Sequence, residues 1–178
     1  MKKLIPILIL MVIMLTSCNK AEKQFEKETI YPSDLVTAEE IAPFIGYTPT
    51  SSEEQTRIVS TLTFLPSELG SNDIVVIKLR QKNQLQSEEK VKAYFDELKN
   101  ARGDAFDAEL QGVESFIAYP SLHYYNNGFH IEITAGSGSD DLQTALLKNI
   151  ANLTLEKLNN YQTFSTTSAE SQEVDKTE

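Results

Sequence analysis

The sequence predicts an α+β domain in which helices pack on an antiparallel sheet of about five strands. Some segments place apolar residues at helical spacing, whereas others alternate with period two or are continuously apolar, as strands are. Consecutive strands are joined by short connections, which favour antiparallel pairing over parallel crossovers. The predicted order of elements is α-β-β-α-β-β-β-α.

The first predicted elements are a capped helix and two strands. Thr37-Ala38-Glu39-Glu40 is a capping box, and Gly46 ends the helix that follows it. Residues 57–65 alternate between apolar and half-polar positions, which predicts a strand with one buried face. Residues 74–79 are apolar on both faces as far as Lys78, a pattern typical of a central strand.

Two amphipathic helices are predicted farther along the chain. The first should begin at Ser87 and end near Ala101, with an apolar stripe formed by Val91, Tyr94, Phe95 and Leu98. The second should run from Asp140 to about Asn159, because the two acidic residues at its start favour the positive end of a helix. Its predicted buried face consists of Leu142, Leu146, Ile150 and Leu153.

Between these helices, Asn127-Gly128 is the strongest hairpin signal, since a type I′ turn needs positive φ at both central residues. Strands are expected over 114–119, 122–125 and 129–134, with Tyr125 paired to His130 and His123 to Glu132. One face then consists of Leu122, Tyr124, Phe129, Ile131 and Ile133, which should be core. The other face consists of His123, Tyr125, His130 and Glu132.

That second face holds both histidines of the chain. One interpretation makes His123, His130 and Glu132 ligands of a borderline divalent ion such as zinc, because diagonal neighbours on a sheet lie about 7–8 Å apart. The alternative is a polar, partly solvated face on which His123 interacts electrostatically with Glu132. In either case these residues, together with Tyr125, form the candidate ligand or partner face.

The N-terminal residues have the layout of a secretory signal peptide. Lys2 and Lys3 precede an apolar run over 4–15, whose helical length of about 18 Å is well below the roughly 30 Å of a hydrocarbon core. The string Leu15-Thr16-Ser17-Cys18 that comes next resembles the lipobox of bacterial lipoproteins. The resemblance implies cleavage before Cys18 and acylation of its thiol, which anchors the chain to the extracytoplasmic side of a membrane. The alternative is a signal peptide that contains a cysteine by chance.

The predicted organisation is a signal peptide (1–17), a lipidated tether (18–33), one α/β domain (34–160) and a disordered acidic tail (161–178). No second cysteine is present for a disulfide. Loss of Lys2 and Lys3 leaves 14 basic against 26 acidic residues, a formal charge of −12. This charge disfavours nucleic acid as a partner, because phosphate binding requires basic patches.

The sequence carries no signature of catalysis or of a cofactor. Gly136-Ser137-Gly138-Ser139 precedes a predicted helix but lacks the lysine of a phosphate-binding loop. No G-x-S-x-G motif occurs, and the single cysteine is assigned to lipidation. We therefore expect a protein that is not an enzyme and has no cofactor.

Several segments together resemble small lipoproteins that adopt a PsbP-like α/β sandwich. They are the Leu35–Gly46 helix, the Val91–Phe95 helix, the Gly112–Tyr119 stretch that leads into a hairpin, and the closing helix, over about 34–160. The resemblance implies a non-enzymatic envelope factor that assists assemblies. The leading hypothesis is thus a membrane-anchored binding or accessory lipoprotein with an envelope protein partner. The alternative is a ligand- or metal-binding sensor that uses His123, His130 and Glu132.

Overall fold

A computed structural model describes residues 29–66, 74–136 and 141–173, with side chains described as far as residue 161. The predicted signal peptide, Cys18 and most of the predicted tether lie outside the described residues. Part of the Gly136–Ser139 stretch and the end of the predicted tail also lie outside them. The chain divides into two compact units, Met1–Ile30 and Tyr31–Glu178. The second unit holds the sheet and the helices that cover it.

The described part of the second unit contains seven strands and five helices. The strands are β1 (Thr50–Gln55), β2 (Ser60–Leu65), β3 (Val75–Gln81), β4 (Phe106–Asp107), β5 (Glu114–Ala118), β6 (Ser121–Asn126) and β7 (Phe129–Ala135). They form one sheet in the order β1-β2-β3-β7-β6-β5-β4, and each neighbouring pair is antiparallel. The helices are α1 (Pro32–Leu35), α2 (Ala38–Ile45), α3 (Lys82–Leu85), α4 (Glu88–Ala101) and α5 (Asp141–Glu173).

The predicted α+β class and the antiparallel pairing are confirmed, but the count of about five strands is too low. The five predicted strands correspond to β2, β3, β5, β6 and β7. The sequence Thr-Ser-Ser-Glu-Glu-Gln of β1 is polar and exposed throughout, so no apolar alternation marks it as a strand. Strand β4 has only two residues, too few for any periodic signal.

Helices cover both faces of the sheet. The face that carries His123, Tyr125, His130 and Glu132, which we call the histidine face, is covered by α4, whose Tyr94 and Phe95 contact the ring of His130. The opposite face, which we call the main-core face, is covered by α5, on which α1 and α2 also pack. Buried residues of the main-core face include Leu62, Phe64, Val75, Ile77, Leu79, Leu122, Tyr124, Ile131 and Ile133.

The predicted helix caps are confirmed. The Thr37 hydroxyl accepts a hydrogen bond from the Glu40 amide, and the Glu40 carboxylate accepts one from the Thr37 amide. Gly46 ends α2 with a left-handed φ of 81°. Glu40 also pairs with Lys157 of α5, and this hydrogen bond outweighs partial burial and lowers the pKa of Glu40. The capping glutamate therefore also joins two helices.

Helix α5 differs from its prediction in both face and length. Its buried residues are Gln143, Leu147, Ile150, Ala151, Thr154, Leu155 and Leu158, whereas Leu142 is 81% exposed. Of the predicted buried face, Ile150 is buried and Leu146 and Leu153 are half-buried. The sequence did not identify Ala151 and Thr154 as buried, because these residues give little apolar signal. The helix runs to Glu173 instead of ending near Asn159, in a segment that contains no glycine or proline to stop it. Within the described residues, no helix combines the length and the hydropathy that crossing a membrane requires.

Candidate functional site

The predicted hairpin has the expected turn and register. Asn127 and Gly128 have φ values of 46° and 85°, the positive values that a type I′ turn requires. Strands β6 and β7 pair His123 with Glu132 and Tyr125 with His130. The sequence prediction that these four side chains share one face is therefore confirmed.

The expectation that this face is partly solvated is wrong at the histidines. His123 is 5% exposed and His130 is fully buried. The ring of His123 stacks on Phe116 of β5, with centroids 4.6 Å apart and planes 10° apart. The edge of His130 meets Phe95 of α4 at 5.6 Å. Alternation along a strand indicates which residues share a face, but it does not indicate which helix will cover that face.

The two imidazoles face each other directly. Nδ1 of His123 and Nε2 of His130 are 3.3 Å apart, and the ring centroids are 5.5 Å apart with planes inclined by only 15°. The centroid-to-centroid distance exceeds the nitrogen-to-nitrogen distance by about the sum of the two ring radii. Each nitrogen therefore lies close to the line that joins the two ring centroids. This is the geometry of a single N–H···N hydrogen bond, in which one ring donates and the other accepts.

The remaining nitrogen of the deeper ring has no partner. Nδ1 of His130 is buried and makes no hydrogen bond to any of the described residues. A buried polar atom without a partner costs free energy, which is higher for a charged group. Burial accordingly lowers the pKa of His130 well below its usual range, and His123 and Arg80 act in the same direction. The ring is held neutral.

Burial also lowers the pKa of His123, from an ordinary value of 6.5 to about 4. The negative charge of Glu132 opposes this shift, whereas the nearby positive charges of Arg80, Arg102 and Lys78 add to it. Both histidines are therefore neutral at physiological pH and can act as hydrogen-bonding groups or bases, but not as cations.

Glu132 is paired with two basic residues of β3. Its two carboxylate oxygens lie 2.8 Å from Nζ of Lys78 and 3.2 Å from Nη1 of Arg80. Burial raises the pKa of Glu132, but the hydrogen bond and charge of Lys78, with His123 and Arg80, outweigh burial and lower it. The guanidinium of Arg80 also lies 4.7 Å above the ring of Tyr94, so it connects the sheet to α4.

Sequence reasoning treated Lys78 only as the end of an apolar run and did not identify Arg80. A usable signal was present, because two basic residues at i and i+2 in an otherwise apolar central strand must share one face. Their pairing with Glu132 could not be predicted, since it depends on β3 lying next to β7.

Within the described residues, His123, His130 and Glu132 do not form a group placed to bind a metal ion. Among residues 29–66, 74–136 and 141–173, no three His, Cys, Asp or Glu side chains are placed to hold a metal ion. The carboxylate of Glu132 is turned to Lys78 and Arg80, and the two histidine nitrogens hydrogen-bond to each other. The third ligand of the predicted set is thus occupied elsewhere.

Tyr125 is also less available than the sequence indicated. Its side chain is half-buried, its hydroxyl accepts a hydrogen bond from the Gly128 amide at 3.1 Å, and its ring packs against Phe95. The ammonium of Lys92 lies 5.7 Å from the same ring. The predicted partner face is therefore an interior contact between α4 and the sheet, with only its margins exposed.

The histidine face continues beyond these residues onto β2, the start of β3 and the end of β7. Thr61, Thr63, Val76 and Thr134 are half-exposed there, and cross-strand pairing aligns Thr63, Val76 and Thr134 in one row. We call these four residues the threonine patch. These side chains are more accessible than His123 and His130 on the same face.

Comparisons with known proteins give no relative from which a role can be transferred. No protein-family model, no curated protein and no solved structure matches this chain. A role for this protein therefore has to be inferred from its own residues and their geometry.

Proposed function

We propose that this protein is a bacterial lipoprotein whose α+β domain acts as a non-enzymatic binding or accessory module at the extracytoplasmic membrane surface. The observation that carries the proposal is the string Leu15-Thr16-Ser17-Cys18 directly after a short apolar segment with a basic start. Acyl chains on Cys18 contribute about 0.8 kcal/mol per buried methylene, so two or three chains anchor a protein stably.

The bounds of the second unit, Tyr31–Glu178, are compatible with a folded domain that follows a lipid-anchored tether. The second unit begins at Tyr31, close to the end of the proposed lipidated tether over 18–33. The domain itself has helices on both faces of an antiparallel sheet, which supports the further proposal of a PsbP-like α/β sandwich. An experimentally solved structure with a different strand order would contradict the sandwich proposal but not the anchoring.

We place the proposed partner surface at the threonine patch. The hydroxyl and small apolar side chains of this patch lie on three neighbouring strands of the sheet, which hold them in a fixed geometry. The remainder of the histidine face cannot contact a partner without rearrangement, because its histidines are buried and the Tyr125 hydroxyl is hydrogen-bonded to the Gly128 amide. The partner class is an envelope protein, since the acidic chain does not favour nucleic acid or anionic lipid headgroups.

Anchoring is tested by metabolic labelling with an alkyne fatty acid in bacteria that express the full chain. The wild-type chain should carry the label and fractionate with membranes, and Cys18→Ala should lose both properties. Thr16→Ala is the matched control, because it keeps a small residue in the string and should retain the label. Labelled Cys18→Ala, or an unlabelled wild type, would overturn the lipoprotein assignment.

The partner surface is tested separately by a photo-crosslinking amino acid placed at Thr63, at Thr134 or at Lys99. Lys99 is exposed on α4, away from the patch, and is the control position. Thr63 and Thr134 should capture the same envelope protein, and Lys99 should not. The same product from all three positions, or none from the two patch positions, would refute this placement.

A further inference from the structure

The histidine face contains a second, smaller core that is distinct from the main one. Its fully buried apolar residues are Phe95, Phe116 and Ala118, and Leu98, Ala105 and Tyr125 pack at its border. The main-core face buries many more large side chains beneath α5. Segments with few buried apolar contacts open locally at a lower free energy than the rest of a domain. Helix α4 should therefore open at a lower free energy than α5.

The two histidines lie within this smaller core, directly below α4. His130 contacts Tyr94 and Phe95 of that helix, and His123 is stacked on Phe116. Charged and titratable groups face the pair from every surrounding element: Lys78 and Arg80 of β3, Glu132 of β7, Tyr125 of β6, Glu114 of β5, Tyr94 and Lys92 of α4, and Arg102 after α4. Of the charges that act on His123, three are positive and one, that of Glu132, is negative.

The geometry does not accommodate the charged forms of this pair. One added proton creates an imidazolium between aromatic rings and close to Arg80, where burial disfavours a cation. A second proton places two N–H donors against each other across 3.3 Å with no acceptor between them. Nδ1 of His130 offers no better position, because it has no hydrogen-bond acceptor among the described residues.

We propose that the His123–His130 pair is an acid-sensitive switch: the neutral pair holds α4 against the sheet, and protonation releases α4 while the main core stays folded. The closed and open positions of α4 are the two states, and the proton is the ligand that binds the open state better. Release would expose Phe95, Phe116 and both histidines on the face that continues into the threonine patch. This inference does not depend on lipidation or on any partner.

Hydrogen exchange of the full chain in detergent, followed by mass spectrometry at pH 8 and pH 5, tests the proposal. A histidine with a pKa of about 4 in the closed state and 6.5 in the open state increases the open population about 30-fold at pH 5. Exchange over Glu88–Ala101, corrected for the intrinsic rate at each pH, should rise by that factor. Exchange over 147–158 of α5 should rise by no more than the same factor and should stay slower than that of α4 at both pH values, because α5 exchanges only when the main core unfolds.

Two outcomes of this measurement would overturn the switch. Exchange in α4 that is independent of pH would show that protonation does not release the helix. Equal protection of α4 and α5 at both pH values would show that α4 opens only by global unfolding and not by local release. Glu132→Gln serves as the control for carboxylate titration, and it should retain the histidine-dependent rise between pH 8 and pH 5.

A second measurement is an NMR titration of the wild-type protein. The chain contains only two histidines, so the wild-type protein gives two imidazole Cε1–H signals in an NMR titration. Neither signal of the closed state should titrate between pH 8 and pH 5. A native signal that titrates near 6.5 while α4 stays protected would refute the proposal. A double variant with His123→Gln and His130→Gln, where it folds, should lose most of the pH dependence of exchange, and retention of the full dependence would also refute the proposal.

Discussion

The contact between Tyr124 and Thr154 provides a sharp test of how the sheet is joined to α5. Tyr124 is fully buried, and its hydroxyl donates to Oγ1 of Thr154 at 2.9 Å. Thr154 in turn donates to the backbone carbonyls of Ile150 and Ala151 within α5, at 3.1 and 3.0 Å. The two hydroxyls are thus unequal, because Thr154 keeps an acceptor without Tyr124, whereas Tyr124 has no other described partner.

This asymmetry predicts different costs for the two single substitutions. Thr154→Val preserves shape but leaves the Tyr124 hydroxyl buried and unpaired, which should cost about 1–3 kcal/mol of unfolding free energy. Tyr124→Phe removes only the net contribution of one hydrogen bond, about 0.5–1.5 kcal/mol. The double variant removes both partners, so it should be more stable than Thr154→Val alone. The effects are then non-additive, as expected for residues in contact.

Urea unfolding of the full chain measures the three free energies, provided that the slope with denaturant stays constant. Thr63→Val is a control for the same chemical change at a half-exposed site, and its effect should lie within about 0.5 kcal/mol. The reasoning would be refuted by a Thr154→Val cost no larger than that control. It would also be refuted by a double variant whose cost equals the sum of the singles.

Three further predictions concern α5, the hairpin turn and pH. In urea unfolding, Leu147→Ala should lower the free energy of unfolding by about 2–5 kcal/mol, whereas Leu142→Ala at an exposed site should lower it by less than about 0.5 kcal/mol. Equal costs would mean that the buried face of α5 is assigned wrongly. Gly128→Ala should destabilise the protein by about 1 kcal/mol or more, because the φ of residue 128 is +85° and the added Cβ would lie 2.7 Å from Cγ of Glu88. An unchanged melting temperature would contradict this prediction. The unfolded chain protonates His123 near 6.5 and the folded chain only near 4, so stability should fall by about 3 kcal/mol as the pH drops through that interval. Unfolding at pH 7, 5.5 and 4 checks this, and a flat profile would contradict it.

The features that the sequence predicted correctly are local ones. The Thr37–Glu40 capping box, the Gly46 helix end and the Asn127-Gly128 turn each depend on residues within a few positions of one another. Once the turn was assigned, the alternation of side chains between the two faces of a strand determined which residues of β6 and β7 share a face. Helix caps and tight turns are specified by short-range hydrogen bonds and φ preferences, and these do not depend on the remainder of the fold.

The errors come from features that lack a local signal. Strand β1 is polar and exposed, and it exists because its backbone pairs with β2. In α5 the buried stripe passes through Thr154, a polar residue whose hydroxyl meets that of Tyr124 only after the helix packs on the sheet. In both cases no local residue pattern identifies the partner segment. A short stretch of sequence could therefore not reveal either pairing.

The sequence by itself determined the α+β class, the hairpin register and the grouping of His123, Tyr125, His130 and Glu132 on one face. Only the tertiary structure decided that α4 covers that face, that the two imidazoles meet nitrogen to nitrogen, and that Lys78 and Arg80 occupy the carboxylate. The physical reason is that side-chain direction follows from the period of a strand, whereas burial and charge depend on which elements lie opposite. The same four residues are predicted as a solvated face from the sequence and form a buried, neutral histidine pair beside an ion-paired carboxylate in the fold.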